Sequence, residues 1–244
     1  MNVYDGRGRR ARRSRRRGLG WLIALVVVIV LLVGADFAAR AVAENVAATQ
    51  FQKQGDLTNK PDVTIEGFPF LTQVASKDFS DVKVSAANEK EGPVTITSIN
   101  ATATGVRLNS YSFNSGTIGT ISGTLLIDFS SLGNTLTSQI GALGTLLNGA
   151  GLDLTAAGPD EVKASMNLLV TTGSATWKVS RVSPTEINIT LIGSSNLPSS
   201  LLSSIQDVNI PIPRLPLGLM IDSVRVTSAG VVGTISGSNV PFGS

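Results

Sequence analysis

From Leu19 to Ala35 every position is uncharged and most are Leu, Ile or Val, with Trp21 near the start. At about 1.5 Å of helical rise per residue, such a run just crosses a hydrocarbon core, and it predicts one transmembrane helix over 19–35. The polar pattern then changes. Asp36, Arg40 and Glu44 fall at successive i, i+4 positions, predicting two opposite-charge pairs along one face of a helix that alanines carry on to about Gln54. Gly55 to Pro61 reads as a short linker. Beyond it the period drops to two. Val162, Ala164, Met166, Leu168 and Val170 alternate with more polar positions, as do Val82, Val84 and Ala86, then Ile187, Ile189 and Leu191, and Val224 and Val226. Clusters of Gly, Asn and Ser such as Asn114-Ser115-Gly116 and Thr172-Gly173-Ser174 separate the runs, which predicts an antiparallel sheet with one buried face.

Two stretches interrupt the alternation. Leu132, Leu136, Ile140, Leu143 and Leu147 recur at helical spacing, yet the remaining positions are polar without being charged. Asp128 to Asp153 encloses no charge, and neither does Glu186 to Asp207, where Pro198 to Ile205 is a short helix candidate whose proline suits a first turn. A charge-poor face fits a low-charge exported composition, and it equally fits the border of an apolar cavity or a membrane, where a charge costs several kcal/mol to desolvate. Ile210 to Leu217, with prolines at 211, 213 and 216, is expected to run extended at a sheet edge.

Composition sharpens this picture. Charged residues are only 15% of the chain and hydrophobic ones 42%, against roughly 25% charged in ordinary soluble domains. Arg7, Arg9, Arg10, Arg12, Arg13, Arg15, Arg16 and Arg17 stand against Asp5 alone, so the tail carries +7 of a chain total of +3 and the remainder sits at −4. A nucleic-acid surface on the folded part is therefore not expected. By the positive-inside rule the arginines (residues 1–18) stay in the cytoplasm, and everything after Asp36 is exported into the cell envelope. A cleaved signal peptide is the competing reading, since Ala41-Val42-Ala43 has the small-x-small form.

Candidate chemistry is sparse. The chain has no His and no Cys, which excludes Ser-His-Asp and Cys-His catalysis, zinc sites built on those ligands, and disulfides. Neither a cofactor nor a metal is expected. Ser80 and Lys83 match a Ser-x-x-Lys spacing, but on an alternating strand they face opposite ways. Glu89 with Glu91, and Asp160 with Glu161, read as solvated turn charges rather than a catalytic carboxylate pair.

One segment is more specific. Ile65-Glu66-Gly67-Phe68-Pro69-Phe70-Leu71-Thr72-Gln73-Val74, followed by Phe79-Ser80-Asp81-Val82-Lys83-Val84, resembles the hallmark of the DUF2993 family of actinobacterial cell-envelope proteins. The helix bearing Asp36, Arg40, Ala43 and Glu44 and the ending Gly230 to Pro241 are similar to that family too, so the resemblance covers about 36–242. It implies an α+β, mainly antiparallel domain over 62–242, a curved sheet wrapped around a long helix as in tubular lipid-binding (TULIP/BPI-like) domains, with a phospholipid ligand.

On the residues themselves, Gly67 permits a turn and Pro69 breaks strand pairing, which predicts that Phe68 and Phe70 are presented together, as a plug for the core or as guards of a groove mouth. The expected groove lies between the sheet and the helix over 132–147, lined by Phe68, Phe70, Leu132, Leu136, Ile140, Leu143 and Leu147. The expected function is a membrane-anchored, exported, non-enzymatic lipid-binding protein supporting envelope glycolipid assembly. A scaffold for envelope-building enzymes and a carboxylate hydrolase are the alternatives.

Overall fold

The computed structural model describes residues 15–55, 57–91, 94–111, 114–139, 152–168, 171–183, 186–197, 199–202, 207–211 and 218–243. Helix α1, Arg15–Gln54, runs unbroken for 40 residues, roughly 60 Å at 1.5 Å per residue. It joins the predicted membrane span and the helix beyond it without a hinge. The large apolar side chains from Trp21 to Leu32 are 40–68% exposed. A helix that is apolar all round and left uncovered by the other described residues suits a membrane, as an anchor or a signal sequence, or an apolar assembly, and α1 is the one helix among the described residues long and apolar enough to cross a membrane.

The outer half of α1 meets a six-stranded antiparallel sheet of order β1-β2-β3-β4-β11-β10. Its strands are β1 (Asp62–Ile65), β2 (Asp78–Glu91), β3 (Val94–Leu108), β4 (Gly116–Asp128), β10 (Met220–Thr227) and β11 (Gly230–Phe242). Alternation decides which face is buried: Val82, Ala103, Ile121 and Ile235 point inward while Lys83, Thr102 and Ser122 point out. Ala39, Ala43, Ala47, Ala48 and Phe51 of α1 pack against Val82, Ala103, Ile118 and Ile121. Four of these five helix residues are alanines, and their small side chains let the backbone of α1 approach the sheet closely. The fold is α+β and mainly antiparallel, with a long N-terminal helix on an open sheet. The helix that fills this place is α1.

A second, five-stranded sheet is a simple meander, β5-β6-β7-β8-β9, made of Leu152–Gly158, Glu161–Leu168, Thr171–Ser183, Glu186–Ser195 and Asp207–Pro211. Val162, Ala164 and Met166 lie at 4% exposure or less, as their alternation predicts. Strand β9 ends at Pro211 on the sheet edge, where a missing N–H does least harm. Helix α4, Ser199–Leu202, occupies part of the short helix expected over 198–205, and Leu202 packs toward Met166 and Ala175.

The sheets are joined at the β5–β6 turn. Val226 N–H of β10 donates across to Pro159 O at 2.7 Å, while Val179 N–H of β7 holds the turn within its own sheet by donating to Asp160 O at 2.7 Å. Helix α3, Phe129–Gln139, closes the joint: Leu132 is buried with Leu154, Val162, Val179, Val226 and Val231, residues of both sheets. Its start is set by Asp128, whose Oδ1 accepts the Ser131 N–H at 2.6 Å and the Ser130 hydroxyl at 2.9 Å. That backbone bond is the first cause holding the Asp128 carboxyl below its usual value.

Candidate functional site

Helix α1 stops before the sheet does. At its end Gly55 N–H returns to Phe51 O (2.9 Å) and Leu57 N–H to Gln52 O (3.0 Å). The chain is then fastened to the far end of β2. Glu89, 2% exposed, accepts the Thr58 N–H at 2.7 Å and the Asn59 N–H at 3.2 Å, while the Asn59 side-chain amide donates to Ala87 O at 3.1 Å. Glu89 is thus not the solvated turn charge its sequence context predicts. It is a buried carboxylate satisfying the backbone of a segment about thirty residues away, and the expected linker over 55–61 is a tied corner.

Past that corner the inner face of the sheet stays apolar. Ile96, Leu125, Ile221 and Ile235 form a cluster separate from the one under α1. Between the clusters is a cavity of ≈ 130 Å³, walled by Phe51 and Leu57 on one side and by Val84, Ile99, Ala101, Ile121 and Leu125 on the other. Of its fifteen lining residues only Gln54 has a polar side chain, and none is titratable. Such a site has no means of acid–base or nucleophilic chemistry and no partner for a charged group. It suits hydrocarbon, and an apolar cavity of about 150 Å³ is known to stay dry and admit a benzene-sized guest. Gly237 shapes the same face: a side chain there would meet Leu219 Cδ2 at 2.8 Å. A depression of ≈ 470 Å³ on the opposite face is lined by Lys83, Ser85, Asn100, Thr102, Ser122 and Thr124, polar groups that suit water rather than alkyl chains.

The other end of the sheet-covering half of α1 is held by the hallmark segment. Both carboxylate oxygens of Asp36 turn to the first turn of helix α2, Phe70–Ser76: Phe70 N–H donates to Oδ2 at 2.9 Å and Leu71 N–H to Oδ1 at 2.7 Å. Those N–H groups would otherwise lack partners at a helix start. Of the two ion pairs expected along α1, only Arg40–Glu44 (2.9 Å) is therefore present among the described residues. Glu44 also accepts the Ile65 N–H at 2.9 Å, tying α1 to β1. Glu66 receives Lys83 Nζ at 2.9 Å and lies 3.9 Å from Arg40, and the Lys83 hydrogen bond and charge lower its pKa. Gly67 has φ +98, and a Cβ there would fall 2.7 Å from Gln73 Nε2, the group that donates to Glu66 O.

The structure separates the two phenylalanines expected to act together. Phe70, opening α2, is 2% exposed and packs tilted on Phe79 at 6.1 Å. Phe68 is 63% exposed and stacks on Phe37 of α1 at 6.3 Å. Leu132 sits in the core between the sheets, Leu136 lies on α3, and Ile140, Leu143 and Leu147 lie outside the described residues. Sequence reasoning missed Phe51, Leu57, Ile99 and Leu125. The only signal for the first two was their position just around the end of a helix already read to stop near Gln54.

A family model described as LmeA-like phospholipid-binding matches residues 34–236. The chain belongs to the LmeA-like family. The match begins two residues before Asp36 and takes in both ends of the arrangement above, the Asp36–α2 clasp and the groove up to Ile235. It leaves out the arginine tail and most of the apolar run. Among curated proteins, the chain is similar to an uncharacterized protein of Mycobacterium bovis and to uncharacterized proteins from two strains of Mycobacterium tuberculosis, each 25% identical over 229 residues. The alignments cover 92% of this chain and 65% of those relatives, so the chain spans about two thirds of their length. No solved structure matches it.

Proposed function

We propose that this LmeA-like protein is anchored by α1 in the cytoplasmic membrane, exposes its sheets on the exported side, and binds a phospholipid by receiving acyl-chain carbons in the groove beyond Gln54. The observation that carries the reading is the lining of that groove, apolar but for Gln54, at the end of the helix that begins with the apolar run. At ≈ 130 Å³ the cavity admits about six carbons by comparison with a benzene-holding cavity. At about 0.8 kcal/mol per buried methylene, that is roughly 5 kcal/mol before the costs of ordering the chain and withdrawing it from a bilayer. Binding relative to the membrane is thus weak and exchange easy, as suits a protein that samples lipids of its own bilayer. Support of glycolipid assembly in the envelope is the role this binding would serve.

The test is photo-crosslinking with a phospholipid carrying a diazirine near the end of one acyl chain, using the full chain in vesicles. Adducts at Phe51, Leu57, Ile99 or Leu125 are expected, and Ala86→Phe, which fills the groove from its sheet wall, should reduce them several-fold while adducts on Leu22 to Leu32 persist. Adducts confined to the span would overturn the groove reading.

A further inference from the structure

We infer that Phe37, Phe68 and Leu71 form a second contact with the membrane, seating the exported domain on the lipid surface where α1 leaves the bilayer. This rests on reading α1 as the membrane span, and it adds a site that the span alone does not require. The three side chains are 57%, 63% and 43% exposed. Exposed aromatic and aliphatic groups held side by side and rigidly mark an interaction surface. Phe37 stands two positions beyond Ala35, the last residue of the apolar run, a rise of about 3 Å along the helix.

Phe68 stacks on Phe37. Leu71 is drawn to the same level because its N–H is bound by Asp36, the residue between Ala35 and Phe37. At the far end of α2, where Lys77 is the C-cap, Lys77 Nζ lies 5.1 Å over the ring of Tyr111, which is 61% exposed and whose hydroxyl reaches Ala75 O at 3.4 Å. Apolar rings followed by a tyrosine and a lysine reproduce the composition of the bilayer boundary, where aromatic rings sit at headgroup level and basic ends reach to water. Continuity with the span picks out the lipid surface rather than a protein as the occupant: α1 brings the patch to the membrane whether or not any partner is present. The clasp at Asp36 then acts as a stop that fixes the height of the domain.

The absence of cysteine makes this directly testable, since Phe68→Cys, Leu71→Cys, Val28→Cys and Ser122→Cys each supply a unique site for an environment-sensitive fluorophore in the full chain. Proteins are reconstituted in phosphatidylcholine–phosphatidylglycerol vesicles and quenched with lipids bearing a shallow nitroxide or with aqueous iodide. Labels at 68 and 71 should be quenched several-fold more by the nitroxide, and several-fold less by iodide, than the label at 122 on the polar sheet face. If the label at 28 is in lipid while those at 68 and 71 resemble 122, the seat is refuted and the span stands. If the label at 28 is itself in water, span and seat fall together. Shielding of 68 and 71 from iodide without nitroxide quenching means that protein covers the patch, which also overturns the inference.

Discussion

The two sheets are built to different standards of closure. In the six-stranded sheet, strands of 13–15 residues pair in long antiparallel ladders, and a dedicated helix covers part of the inner face with twelve buried residues in one cluster. In the five-stranded sheet the longest strand also has 13 residues, but its ladders slip at Ala156/Gly158, Thr176/Trp177 and Arg181/Ser183, against one slip at Ile221/Ser223 in the larger sheet, and its own cluster at Met166 holds two buried residues. The difference teaches where a ligand has room. A rigid sheet with a helix that ends early leaves a defined hollow. A sheet that depends on its neighbour at Val226 and Val231 for its core is support rather than site.

The largest effect separating the two should come from Phe70→Ala. It removes a ring that is 2% exposed inside the dense cluster, and it should cost about 3–5 kcal/mol in chemical denaturation of the full chain in detergent. Met166→Ala, at 1% exposure in the sparse cluster, should cost only about 2 kcal/mol, because fewer fixed neighbours surround the vacancy and more of it can collapse. Equal costs would break the comparison. Asp36→Ala, which leaves the Phe70 and Leu71 N–H groups without their acceptor, should cost about 1–3 kcal/mol. It should also speed amide exchange at those two residues while leaving β6 and β7 unchanged. Faster exchange spread through both sheets would show that the clasp stabilises the whole rather than one end.

The smallest effect lies at the joint. The Asp128 carboxyl has a folded-state pKa lowered first by the Ser131 N–H, so its contribution is present above the unfolded value and is lost as pH falls through the lower folded one. Asp128→Ala should therefore cost about 1 kcal/mol near neutral pH and progressively less once the pH passes below about 4. A cost independent of pH would mean that the charge plays no part in starting α3.

Much of the fold was legible because it follows from pattern. The end of α1 at Gln54 and the alternation of β6 came from hydrophobic period; of the proline run over 210–217, only Ile210 and Pro211 fall in edge strand β9, and 212–217 lie outside the described residues. Leucines at helical spacing make 132–147 the covering helix that stands out, and α3 follows that stretch to Gln139, its remainder lying outside the described residues, whereas the stripe by which α1 meets the six-stranded sheet is mostly alanine and does not stand out. Alanine contributes little contrast, yet its size is what lets a helix lie close on a sheet. The turn at Gly67 and the break at Pro69 predict Phe68 and Phe70 presented together, but α2 begins at Phe70 and turns the second ring inward. Glu89 and Asp36 were read as local charges because their acceptor roles depend on backbone groups about thirty or more residues away.

Strand β11 lies between β4 and β10 and follows every other strand in the chain. Until Gly230–Phe242 is available, β4 and β10 have no common neighbour and Ile235 is missing from the cavity wall. Closing that gap joins residues about a hundred positions apart, the kind of pairing that sets a slow pace for folding. Helix α1, by contrast, needs only local bonds and is complete first. The order of assembly therefore places the long helix before the cavity: the hollow at its end comes into being last, when the final strand closes the sheet.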